Sequence, residues 1–117
     1  MKTHHDLDVW KKSIDLVTKV YSLTKSFPKE ELYGITNQIR RAIVSVPSNI
    51  AEGAARNTPK EFNNFLSIAL GSLSEVETQL IISKNLKYIN QENLDLHLND
   101  LIVIRKMIIG LKKSLKL

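Results

Sequence analysis

The chain has 117 residues, 43% of them apolar and 25% charged, which suits one globular domain and excludes a disordered chain. It contains no cysteine, which excludes disulfides, thiolate zinc sites and a cysteine nucleophile. The net charge is +5, equal to the five basic residues Arg105, Lys106, Lys112, Lys113 and Lys116, which are all the ionisable side chains after Asp100.

Only four glycines and three prolines interrupt the chain, so long periodic segments point to an all-α fold. The opening MKTHHDLDVW lacks an apolar h-region, so no secretory signal is expected. The longest apolar runs, residues 101–104 and 107–109, are too short to span a bilayer. A transmembrane segment is therefore not expected, and a cytoplasmic location is.

The first helix is predicted over residues 7–25. Leu7, Trp10, Ile14, Val17, Tyr21 and Thr24 recur at steps of three and four and read as its core face. Asp6 reads as its N-cap, and Phe27-Pro28 ends the segment because a residue before proline is pushed out of the helical region. Residues 29–34 read as a connector with room for one helical turn.

The second helix is predicted over residues 34–56. Ile35, Ile39, Ala42, Ile43, Val46, Ile50 and Ala54 form its apolar face. Gln38, Arg41, Ser45, Ser48, Glu52 and Arg56 form the opposite one. Pro47 removes the hydrogen bond to the Ile43 carbonyl, at a cost of about 3 kcal/mol in a helix interior. Either the helix continues with a kink, or it stops at Val46 and restarts. The unbroken apolar phase favours continuation, with Ser48 and Asn49 placed to satisfy freed backbone groups.

Thr58-Pro59-Lys60-Glu61 carries an N-cap, an N1 proline and an N3 glutamate, which sets the start of a third helix over residues 59–87. Its main stripe is Phe62, Leu66, Ala69, Leu73, Val76, Leu80 and Ser83. Asn90 caps a fourth helix over residues 91–115, whose stripe is Leu94, Leu98, Leu101, Ile104, Ile108, Leu111 and Leu115. Ile102, Val103, Met107 and Ile109 lie off that stripe. One bundle core cannot bury them all, so they are the candidate surface for self-association. Short connectors between four helices predict an antiparallel up-down-up-down bundle, with Gly53 and its small neighbours allowing close approach of the second and third helices.

The segments IRRAIVSVPSNIAEG (39–53), FLSIALGSLSEVETQL (65–80) and DVWKKSIDLVTKVY (8–21) resemble the bacterial four-helix-bundle family of ribosomal RNA intervening-sequence proteins. The resemblance implies a ring-like homopentamer and kinship with the accessory protein of diversity-generating retroelements, which is thought to handle nucleic acid. Arg40, Arg41, Pro47, Asn49, Glu52 and Gly53 match the family's central motif. The resemblance implies no catalytic motif.

The residues carry no catalytic constellation either. His4 and His5 are adjacent and far in sequence from His97, Glu75 and Glu77 lack the spacing of a di-iron bundle, and the serines of the third helix have no neighbouring histidine. No enzyme activity, metal or cofactor is expected. Candidate nucleic-acid contacts are Arg40, Arg41, Arg56, Lys60, Arg105, Lys106, Lys112 and Lys113. Polar faces and C-terminal cations also serve solubility and the helix dipole, so these residues have a purely structural reading too. Aromatics on apolar stripes offer no stacking platform, so binding would be backbone-directed and weakly sequence-specific. A structural adaptor for another protein is the alternative, and a membrane-surface role for the fourth helix comes after it.

Overall fold

A computed structural model describes residues 3–117, the side chain of Asp6 excepted. Four helices follow in order: α1 (Asp8–Thr24), α2 (Ile35–Ala54), α3 (Pro59–Asn85) and α4 (Gln91–Ser114). Short 3-10 turns lie at His4–Asp6 and Lys29–Glu31. Strands are absent among the described residues. The overall dimensions are 44 × 24 × 19 Å, and at about 1.5 Å per residue α3 runs nearly the whole long axis.

Neighbouring helices run antiparallel, as their cross-contacts show. Ser45 of α2 meets Ser72 of α3 at 2.6 Å, whereas Gly53, further along α2, lies against Phe62 and Phe65, earlier in α3. Likewise Arg105 of α4 meets Glu77, while Lys112 reaches back to Asn63 and Ser67. The core stacks Leu16 and Val20 from α1 with Ile39, Ile43, Val46 and Ile50 from α2. From the other pair come Leu66, Leu73, Val76 and Leu80 of α3 with Leu101, Ile104 and Ile108 of α4.

The helix ends obey local chemistry. Thr58 accepts from the Glu61 amide at 3.2 Å and donates its hydroxyl to the Glu61 carboxylate at 3.2 Å, with Pro59 in the first turn. Asn90 accepts from the Asn93 amide at 2.8 Å. At the end of α3, the Lys87 amide donates to the Lys84 carbonyl and the Tyr88 amide to the Ser83 carbonyl, both at 2.9 Å. This Schellman turn puts Lys87 at φ 66°, a left-handed position usually taken by glycine.

α2 passes without interruption through Pro47, which is buried, so the continuous reading of its apolar phase holds. The relief of the freed carbonyl differs from expectation. The Asn49 amide donates to the Ser45 carbonyl at 2.8 Å and the Ser45 hydroxyl at 3.0 Å, and no side-chain bond among the described residues reaches the Ile43 carbonyl.

α1 is rotated from its predicted face. Its buried residues are Val9, Ser13, Leu16, Val20 and Thr24, while Ile14 and Tyr21 are both 39% exposed and Trp10 is half-buried. Ser13, which lay off the predicted face, returns its hydroxyl to the Val9 carbonyl at 2.7 Å, as Thr24, which lay on it, does to the Val20 carbonyl at 2.8 Å. Satisfied in this way, two polar residues enter the core. Asp6 is also not the N-cap: it belongs to the preceding 3-10 turn, and Leu7 takes the cap position without a side-chain bond. His4 and His5 pack on Trp10, with ring centroids 5.0 and 5.1 Å away.

By length and composition α3 can cross a bilayer, with a mean hydropathy of 1.3 over its most apolar stretch. Counting uninterrupted apolar runs missed this because serine and glycine break the runs without making that stretch strongly polar. In this fold one face of α3 lies in the bundle core.

Tyr88 ties the two connectors at one end of the bundle together. Its hydroxyl donates to Glu31 at 2.7 Å, and its ring lies 5.4 Å from that of Phe27. The bond to Glu31 raises the Tyr88 pKa above its ordinary 10.0, with desolvation and the nearby charges of Glu31 and Glu30 adding to the rise. A raised folded-state pKa means that the contribution to stability is intact below the ordinary tyrosine range and is lost as pH climbs through the raised value. In an ultraviolet alkaline titration, one of the three tyrosines should ionise late, and Glu31→Gln should bring it back. Three tyrosines ionising together in the wild type would contradict the bond.

Candidate nucleic-acid interface

Antiparallel packing gathers residues that are far apart in sequence. The end of α2, the start of α3 and the end of α4 share one end of the bundle, which places Arg56, Lys60, Lys112 and Lys113 there. Lys60 and Lys113 are exposed. Lys112 is half-buried: its ammonium donates to the Ser67 hydroxyl and lies 3.5 Å from the Asn63 carbonyl. Its stem is thereby laid across α3 while its charge stays at the rim. Arg56 pairs with Glu52 at 3.8 Å and stacks on Phe65, 4.9 Å from the ring centroid. That exposed pair contributes about 0.3–0.5 kcal/mol.

The remaining candidates lie elsewhere. Arg105 is held by Glu77 at 3.0 Å, one face round from the exposed Lys106. Arg40 and Arg41 diverge, as residues about 100° apart on a helix must. Arg40 spans to α1: its Nε donates to the Thr24 hydroxyl at 2.8 Å and Nη2 to the Tyr21 carbonyl at 3.3 Å. Its guanidinium also sits 4.6 Å from the centre of the Tyr21 ring. Arg41 stays exposed and lines a groove of about 380 Å³ between α2 and α3 with Ser45, Ser72, Glu75 and Gln79. Inside the bundle wall, Gln79 Oε1 is buried without a partner.

Sequence reasoning missed Asn63 and Ser67 as the acceptors that position Lys112, because they lie some forty-five residues away and nothing local signals the pairing. It also missed the Lys19–Asp100 pair, 3.2 Å, that bridges α1 and α4. Of the off-stripe residues on α4, Ile102 and Val103 are each 44% exposed and Ile109 38%. Met107 is different: it is half-buried and packed on the core. No group of three or more metal-ligating side chains occurs among the described residues.

A family model for the 23S rRNA-intervening sequence protein matches residues 5–110. The chain belongs to that family. A crystal structure from Bacteroides thetaiotaomicron, described as a protein of unknown function from the S23 ribosomal protein family, superimposes with a TM-score of 0.81. The two are 27% identical, and the match covers 91% of this chain and 99% of the other. No curated protein matches the chain. For this intervening-sequence protein, then, the all-α four-helix bundle is the family architecture, and the basic end of the bundle is a property of its own residues.

Proposed function

We propose that this chain is a non-enzymatic, homo-oligomeric bundle of the cytoplasm that binds RNA or DNA, or a nucleoprotein, through its basic end. The observation that supports this most is the convergence of Arg56 from the α2–α3 connector, Lys60 from α3, and Lys112 and Lys113 from α4 on one end of the molecule. Such a cluster attracts a phosphate backbone without reading its sequence. Self-association multiplies the field and adds avidity.

The test is binding of a labelled single-stranded RNA across a salt series. Each phosphate contact contributes about 0.7 to the slope of log affinity against log salt for single strands, so Lys112→Gln with Lys113→Gln should flatten the slope by roughly 1.4 and weaken binding at low salt. Binding that is absent at low salt, or indifferent to salt, would remove the proposal.

The exposed Ile102, Val103 and Ile109 favour self-association, and the pentamer of the resembling family is the assembly proposed. Light scattering at micromolar concentration should give a mass well above the 13.3 kDa of one chain. A mass equal to one chain contradicts it. The same apolar surface supports the second reading, an adaptor for another protein, whose mark is a pulldown that survives nuclease.

A further inference from the structure

At the end of α1, a cavity of about 420 Å³ opens between the Phe27-Pro28 connector and the start of α2. This is the opposite end of the bundle from Lys60 and Lys113, and nothing in the nucleic-acid proposal uses it. Its charged lining is Lys25, Lys29 and Arg40, and no carboxylate lines it. The neighbouring turn carries two acids, Glu30 and Glu31, neither of which lines the cavity; Glu31 accepts from the Tyr88 hydroxyl at 2.7 Å and from the Ile35 amide at 3.4 Å. Three cations therefore face one concavity without a counter-charge in its wall.

Arg40 is held in place by Thr24 and Tyr21, which use two of its five N–H donors and leave the others free. A guanidinium fixed in this way is suited to two-pronged recognition of an oxyanion. Beside it, Thr36 forms part of the cavity wall and is only 4% exposed, yet its hydroxyl has no hydrogen-bond partner. A buried hydroxyl without a partner is costly, and native proteins seldom keep one idle. Thr36 also stands in the first turn of the twenty-residue α2, whose start is already met by the Glu31 carboxylate through the Ile35 amide, so the helix end is no part of the site.

We infer that this cavity binds a phosphate group carried by a small phosphomonoester, with Arg40, Lys25 and Lys29 as the cationic contacts and the Thr36 hydroxyl as a neutral donor. Phe27, Pro28 and Leu32 supply an apolar wall for the rest of the ligand. The volume exceeds that of a bare phosphate and falls within the usual range for small-molecule sites. The phosphate could come from a free nucleotide or from the phosphorylated end of a nucleic acid, and the chemistry of recognition is shared.

Isothermal titration of the full chain with AMP, inorganic phosphate and adenosine at low salt tests the site. Saturable binding of AMP and phosphate, but not of adenosine, is expected. Lys25→Gln with Lys29→Gln, both on exposed residues, should weaken AMP about tenfold. Thr36→Val should weaken it about threefold while leaving the melting temperature equal or higher, because it removes a hydroxyl that no protein group satisfies. No saturable AMP binding overturns the inference, and so does wild-type affinity in either variant. Tighter binding of a terminally phosphorylated oligonucleotide than of its hydroxyl form assigns the phosphate to a nucleic-acid end; equal binding assigns it to a free nucleotide.

Discussion

Gly53→Val is expected to lower the unfolding free energy by about 2–3 kcal/mol, a melting shift of roughly 10 °C. A Cβ at Gly53 would meet Phe62 Cδ1 at 2.8 Å, Phe65 Cβ at 2.8 Å and the Phe62 carbonyl oxygen at 3.3 Å. The Phe62 ring can swing aside, but the Phe65 Cβ and the Phe62 carbonyl are fixed by the backbone of α3. Relief therefore requires α2 and α3 to separate, which loosens the packing of Ile50 and Leu66 between them. Helix propensity works the other way but recovers only a few tenths of a kcal/mol for valine over glycine. Gly71 and Gly110 provide the contrast, since a Cβ at either meets nothing within 4 Å. Alanine there should stabilise by up to about 1 kcal/mol. Urea unfolding of the three variants checks the set, and a Gly53→Val chain as stable as the wild type would refute the close approach.

The same helix pair shows what a sequence can and cannot disclose. The α2 and α3 stripes, the Thr58 cap and the passage through Pro47 were all legible because each depends on spacing along one segment. In α1 the reading placed Thr24 in the core correctly but put Ile14 and Tyr21 there too, since hydropathy ranks Ser13 as a surface residue. The back-bonds of Ser13 and Thr24 to carbonyls one turn earlier make them neutral to burial, and Leu16 and Val20 then define the inward face. No pattern of apolar residues reports that exchange.

The candidate sites divide along the same line. Charge counting found the basic end of α4, but only antiparallel packing brings Lys60 and Arg56 to it. Arg40, one of the nucleic-acid candidates, braces α1 against α2 and faces a cavity at the other end of the bundle. That cavity draws on the end of one helix, a connector and the first turn of the next, three places with no shared periodicity. Its clearest sign, the unpartnered Thr36 hydroxyl, exists only in three dimensions.

Leu73→Ala should cost about 2–5 kcal/mol, the range for truncating a fully buried leucine, because the side chain is 0% exposed at the middle of α3. The loss combines the transfer energy of the removed carbons with the cavity left between α2 and α3, whose backbones are held together at Gly53 and cannot collapse into it. Ile68, on the same helix, is 51% exposed, so Ile68→Ala should cost less than about 1 kcal/mol. The pair controls for helix propensity, since both changes introduce alanine within α3. Urea unfolding at low protein concentration keeps self-association from adding to either value. A Leu73→Ala cost no larger than that of Ile68→Ala would mean that α3 presents a different face to the core, and the register that brings Asn63 and Ser67 to Lys112 would fall with it.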